Sequence, residues 1–537
     1  MTSEGARQET VPRPTTCVRG NKCLEVFNVA LKQACDGHGE RWYTSTLELQ
    51  LVSLGLCVAC RDVPTLHVRV DRRTPPSLWS PRKSHTTPTK RSREVCTSSR
   101  VPAVQAFGLT WALPMEVLLQ RAAMEPRTGS GCQRPTGPSS ASRLQWAIWP
   151  LNLKRLEFDS DMPVNKVSWP ASLQQLSFGT EFNQPIVGVA WPASLQKLSF
   201  GVHFNQPIAG VVWSSSLQKL SFGSCFNQPI AEVVWSSSLQ KLSFGSCFNQ
   251  PIVEDAWPAG LKCLSFGVHF NQPIVEVVWP ACLKRLSFGV HFNQRIAEVA
   301  WPAGLKRLSF GVHFNQPIAE VVWTACLKRL SFGVYFNQPI VEVTWPAGLK
   351  RLSFGVHFNQ PIAEVAWPAG LKRLSFGVQF NQPIAEVVWS SSLQKLSFGR
   401  CFNQPIVEVT WPAGLKRLSF GVHFNQPIAE LAWPAGLKRL SFGVQFNQPI
   451  AEVVWSSSLQ KLSFGRCFNQ PIVEVAWPAS LRKLGFGTEF NQPIVGVVWP
   501  ASLQQLSFGV DFAQSLAQVV WPASIHSVTH AEVGSLL

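Results

Sequence analysis

The sequence predicts a repeat solenoid, mainly β, of about 17 coils with little or no helix. Three observations carry that prediction. A 22-residue unit, L-x-x-L-S-F-G-x-x-F-N-Q-P-I-x-x-V-x-W-P-x-x, returns sixteen times between Leu173 and Ser524. Every unit has Gly at its seventh position and most have Pro at the thirteenth and twentieth, so a helix of ordinary length would be interrupted each time. A unit this short cannot enclose a core of its own, whereas stacked copies run their apolar positions into one interior.

The chain divides near residue 150. Residues 1–150 contain 20 basic and 11 acidic residues and mix Arg, Ser, Thr, Pro and Trp without a sustained period of 2 or 3.6. They are expected to be a mostly disordered or irregular basic segment, with one short helix over "TSTLELQLVSL", Thr44–Leu54. Cys57 and Cys60 form the only CxxC. A structural zinc site needs two ligand pairs at disciplined spacing, so none is assigned. The 14 cysteines fall seven in this segment and seven in the array, at spacings unlike a secreted disulfide framework, and reduced thiols are expected. The first residues lack the order of a signal peptide, and no apolar run approaches the roughly 18 residues of a membrane helix. A soluble, cytoplasmic chain with no membrane partner is the expectation. The net charge of +17 favours contact with anions without supplying specificity.

Residues 151–524 are read as the solenoid and 525–537 as a partial repeat and tail. The first coil, "LKRLEFDSDMPVNKVSWPAS" from Leu153, has 20 residues and reads as a unit lacking Asn-Gln before Pro163. Within each full unit two stretches share one template, as in Leu305-x-x-Leu308-x-Phe310 and Ile318-x-x-Val321-x-Trp323. A firm strand is expected near "RLSFG" and a weaker extended stretch near "EVVW". Coils stacked at about 4.8 Å would bury Leu305, Leu308, Phe310, Phe314, Ile318, Val321 and Trp323, with their equivalents above and below.

This unit resembles the FNIP repeat, named for its Phe-Asn-Ile-Pro motif and related to leucine-rich repeats. The resemblance rests on "LKRLSFGVHFNQPI" followed by V-x-W-P-x-x-L, and covers about residues 153–524. Family members usually carry Leu before the second Pro, where this chain has Trp. The resemblance implies a leucine-rich-repeat-like solenoid with a role in protein binding, no catalytic activity and no defined ligand.

Three rows of repeated residues stand out. Asn fills the eleventh position in 15 of 16 units, among them Asn183, Asn205, Asn271, Asn315, Asn359, Asn425 and Asn491, and fails only at Ala513. A short amide at a tight corner can satisfy backbone groups of its own and the neighbouring coil, so these residues are assigned as a structural ladder. Glu occupies the sixteenth position in twelve consecutive units, Glu232 to Glu474. Lys-Arg occupies the second and third positions in five consecutive units: Lys284 and Arg285, Lys306 and Arg307, Lys328 and Arg329, Lys350 and Arg351, Lys372 and Arg373. Like charges at strand spacing repel, so each row must be solvated, screened or offset. The basic stripe is the candidate partner-binding surface.

The ninth position carries His269, His291 and His313 in succession, but a collinear row is poor tetrahedral geometry and the same row admits Glu181, Tyr335 and Gln379. No metal is assigned there. Residues 345–410 and 411–476 match at 64 of 66 positions, a block duplication. Near-identical coils offer the same few groups many times over, whereas catalysis needs one constellation of nucleophile, base and oxyanion donors. No catalytic, metal or cofactor residue is assigned, and no cofactor is expected. The leading expectation is a non-enzymatic scaffold that binds another protein. Polyanion binding, to nucleic acid or acidic polysaccharide, through the Lys/Arg stripe is the second reading. A repeat-expanded chain without refined function is the third.

Overall fold

The computed structural model describes residues 65–69, 110–111, 149–150, 152–252, 257–531 and 534–535. It is a parallel β-solenoid in which each coil contributes one short strand to a single continuous sheet, and none of the described residues is helical. In the coil from Leu305 the strand is Arg307–Ser309, paired in register with Arg285–Ser287 on one side and Arg329–Ser331 on the other. The same pairing runs from Arg155–Asp159 to Ser527–His530. Gly534–Ser535 then turns back antiparallel on the last of these strands. At the other end Thr65–Arg69 pairs parallel with Arg155–Asp159, and Thr110–Trp111 pairs with His67 and Val68. Both strands fall in the segment expected to be mostly disordered or irregular, where no period of 2 or 3.6 is sustained. The helix expected over Thr44–Leu54 and the Cys57–Cys60 pair lie outside the described residues.

The core follows the apolar template. Leu305, Leu308, Phe310, Phe314, Ile318, Val321 and Trp323 are all buried, as are their equivalents along the array. The extended stretch expected near "EVVW" forms no ladder. Val321 N donates to Ile318 O at 3.3 Å, and Leu305 N donates to Pro302 O at 3.0 Å, so both spacings close tight turns. Residues three apart in a strand would face opposite ways. Burying both Ile318 and Val321 therefore requires a turn.

Like stacks on like. Phe310 lies 5.7 Å from Phe332, Phe314 lies 6.1 Å from Phe336, and Trp345 lies 6.4 Å from Trp367. Strands in the sheet stand about 4.8 Å apart. The aromatic rungs stand further apart than the strands, which places the sheet on the inner side of the array's curvature. Several of the tryptophans also meet a Phe edge to face, as Trp301 meets Phe310 at 6.4 Å and 78°. The indole Nε1 of these tryptophans, from Trp169 to Trp499, is buried without a hydrogen-bond acceptor. The indole is retained here for its area and its stacking.

The seventh-position glycines are fixed by close approach. A Cβ on Gly311 would be driven into the carbonyl of Gly289, and the same holds coil after coil. The backbones there run closer than any side chain permits.

Asparagine closes the corner. Asn315 Oδ1 accepts from Asn337 N at 2.9 Å and from Gln338 Nε2 at 3.2 Å. Equivalent bonds of 2.8–2.9 Å join Asn183, Asn205, Asn271, Asn359, Asn425 and Asn491 to the coil that follows each. In the shortened first coil Asp161 supplies the acceptor instead, 2.9 Å from both Asn183 N and Gln184 Nε2. The unit that reads as missing its Asn thus keeps the corner bond through a carboxylate. At the far end Ala513 N still donates to Asn491, while Ala513 offers no side-chain acceptor onward.

Candidate functional site

The strand face is built by the pleat. Leu308 turns inward to the core, so Arg307 and Ser309 on either side of it turn outward, and the register repeats this in every coil. The result is a straight row of third-position side chains. All ten predicted stripe residues sit on it or immediately before it: Arg285, Arg307, Arg329, Arg351 and Arg373 pair directly across neighbouring strands. Lys284, Lys306, Lys328, Lys350 and Lys372 form an exposed second column alongside.

The row is longer than the doublets. Pairing continues through Lys395, Arg417, Arg439, Lys461 and Lys483, and on the other side through Lys197, Lys219 and Lys241, broken only by Cys263. Thirteen of fourteen successive coils therefore carry a cation at one position. Two unit charges about 4.8 Å apart repel by about 0.9 kcal/mol in water, above the thermal energy of about 0.6 kcal/mol.

Its own charge works against it. Partial burial, then Arg285 and Arg329 on either side, lower the pKa of Arg307, with Cys263 acting weakly the other way. Lys395 is lowered by burial first, then by Arg373, Arg417, Arg351 and Arg439. A cation whose pKa is depressed on folding opposes folding while it is charged, and that opposition fades as pH rises through the folded-state pKa. At neutral pH the row is a standing repulsion.

Between the Lys and Arg columns lies a groove of about 290 Å³, lined by Lys306, Arg307, Lys328, Arg329, Lys350, Arg351, Lys372, Arg373 and Gln394. Beside it runs a row of half-buried serine hydroxyls, some linked across coils, as Ser287 Oγ to Ser265 Oγ at 2.9 Å. The glutamate row stands elsewhere, on the turn that follows each core Ile.

The ninth-position row packs ring against ring, edge to face between His269 and His291 and face to face from His291 to His357. His269 and His291 lie 5.2 Å apart, His291 and His313 5.0 Å, His313 and Tyr335 4.9 Å, Tyr335 and His357 4.8 Å. His357 Nδ1 then meets Gln379 Oε1 at 3.0 Å. Among the described residues no group of three or more His, Cys, Asp or Glu is placed to hold a metal ion. No helix among them is long and apolar enough to cross a membrane.

A sheet of one strand per coil, a stacked leucine and phenylalanine core and an outward row on the inner face define a leucine-rich-repeat-like solenoid. The family model described as FNIP Repeat matches eleven segments from 161–203 to 446–489, which together cover residues 161–489. That is more than half of the sequence, and the chain belongs to the FNIP repeat family. Among solved structures, CroV588, described as a novel circular LRR protein, is 45% identical with a TM-score of 0.68; the match covers 73% of this chain and 58% of that one. The Toll–Spätzle complex of Drosophila in its glycosylated form matches at 10% identity and a TM-score of 0.50, over 73% of this chain and 56% of that chain, a likeness of fold alone. This chain thus spans less than two thirds of the length of either. No curated protein matches the sequence.

Proposed function

We propose that the chain is a non-enzymatic repeat scaffold that binds another protein through the sheet face of its solenoid. The observation that carries this reading is the cation row on the inner side of the curve, thirteen residues in fourteen coils with no acidic residue among them. A surface that holds so much like charge in register is poorly satisfied until an acidic partner neutralises it, and electrostatic complementarity of this kind speeds encounter. Leucine-rich-repeat-like arrays offer long inner faces of the sort partners occupy.

The test uses the immobilised full chain beside a variant carrying Arg285→Ala, Arg307→Ala and Arg329→Ala. A protein captured saturably from lysate by the native chain and released in the variant supports the reading. Capture of nothing saturable by either overturns it. The duplicated block, 64 of 66 positions alike, favours a second reading in which the array is copy-number expansion without refined function. Array length that varies freely among individuals, without effect, would support that alternative.

A further inference from the structure

The Lys-Arg doublets mark out a bounded site within the longer row. Five consecutive doublets run from Lys284 to Arg373 and set its bounds: the row is interrupted by Cys263 before them and the second column by Gln394 after them, ahead of the further doublets Lys416-Arg417 and Lys438-Arg439. The groove between the columns is lined by eight cations and Gln394. No carboxylate figures among the groups that perturb Arg307 or Lys395. From the coil of Lys306 to that of Gln394 there are four steps, or about 19 Å at about 4.8 Å each.

We propose that this groove binds a flexible, unbranched chain of linked phosphates, an inorganic oligophosphate laid across the coils. The width comes first. A groove of about 290 Å³ spread over that length has room for a single file of anionic groups, far less than the about 10–12 Å diameter of an α-helix. The charge density comes next. Two columns at about 4.8 Å spacing present one cation per about 2.4 Å. An extended acidic peptide shows one side chain to a given face about every 6.7 Å and would leave roughly two cations in three without a partner. A phosphate chain carries charge on every unit and turns freely about its bridging oxygens, so each guanidinium can find an oxygen pair for its planar fork.

A nucleic-acid strand in its duplex form advances about 3.4 Å per phosphate, but as a single strand its bases need platforms on which to stack. The rings in these coils are already engaged with one another: His291, His313, Tyr335 and His357 stack face to face at 4.8–5.0 Å, and His269 meets His291 edge to face at 5.2 Å. The proposal stands independently of a protein partner: a phosphate chain neutralises the row whether or not any protein does.

The test measures binding of inorganic polyphosphate, in a length that spans the groove, to the full chain by calorimetry over a range of salt. Tripolyphosphate, oligothymidylate and poly-glutamate serve as comparisons. The spanning chain is expected to bind at least about tenfold tighter than each of these, with log K falling linearly in log salt. The variant Arg307→Gln/Arg329→Gln/Arg351→Gln should lose about a hundredfold and flatten the slope by about 0.7 per cation removed. Lys197→Gln/Lys219→Gln/Lys241→Gln removes the same charge outside the groove and should lose less than about threefold; thermal melting checks that both variants fold. Equal loss in the two variants, or equally tight binding of oligothymidylate or poly-glutamate, overturns the proposal.

Discussion

Replacing Gly311 by Ala tests the closest approach in the array. The new Cβ would meet the carbonyl of Gly289, and no flexible side chain stands there to give way. The coils must part. Two backbone bonds flank the point, Phe288 N to Ser309 O at 3.0 Å and His313 N to Val290 O at 2.8 Å. Losing both costs about 1–3 kcal/mol, and forcing apart a packed interface adds about 1–3 kcal/mol. Ala restricts the unfolded chain more than Gly, which returns about 0.4–1 kcal/mol. The net loss is about 1–5.6 kcal/mol, borne by one interface because each coil touches only its neighbours. Hydrogen exchange read by mass spectrometry should show faster opening confined to the segments around Phe288–Val290 and Ser309–His313. Gly304→Ala is the control: its Cβ would lie 3.0 Å from Ala281 O and 3.7 Å from Leu283 O, and Ser194 fills the equivalent place in another coil. That change should stay within about 1 kcal/mol. Unchanged exchange in Gly311→Ala would refute the steric account of the glycine row.

Asp161→Ala should loosen the first full corner by about 1–3 kcal/mol, because Asn183 N and Gln184 Nε2 both lose their 2.9 Å acceptor; Asp161→Asn should restore most of it, as read by exchange at the Asn183 amide. Trp323→Phe should cost within about 1.5 kcal/mol, since the indole Nε1 has no acceptor to lose, whereas Trp323→Ala should cost about 3–5 kcal/mol; chemical denaturation separates the two. Burial first, then the charge of Glu489 and its contact with Cys467 Sγ at 3.8 Å, raise the Cys467 pKa above the ordinary thiol value. Glu489→Gln should lower it, so that alkylation of Cys467 at mildly alkaline pH runs faster than in the native chain; an unchanged rate would count against the carboxylate as a cause.

The core was readable from the sequence because its spacing is its own label. Leu305, Leu308, Phe310, Phe314, Ile318, Val321 and Trp323 recur at fixed offsets, and burial follows directly. The back of the coil was harder. Ile318-x-x-Val321 shares a pattern with the strand template, and only the i to i+3 bond reveals a turn. Asp161 escaped notice because alignment by letter seeks an Asn, while the corner asks only for an acceptor oxygen. The doublets from Lys284 to Arg373 stand out as strings of letters. The longer cation row does not, since Lys197 and Lys483 become neighbours of one line only when the strand register is known, although reading the third position down the aligned units would have found it. The strand Thr65–Arg69 was legible in the alternation of Leu66, Val68 and Val70 with His67, Arg69 and Asp71 but is lost in its basic surroundings, whereas Thr110–Trp111 is too short for any period to announce it.

The corner bond has a direction. Each coil hands an acceptor to the coil after it and receives the same from the coil before, as Asn315 gives to Asn337 and takes from Asn293. A coil therefore behaves like a monomer with one head and one tail, and a further copy spliced in at any joint finds both ends already matched. Asp161 acts as the initiator of this polymer and Ala513 as its terminator. The chain can lengthen by whole blocks without the fold registering the change, and length is left to be set by what the inner face must reach.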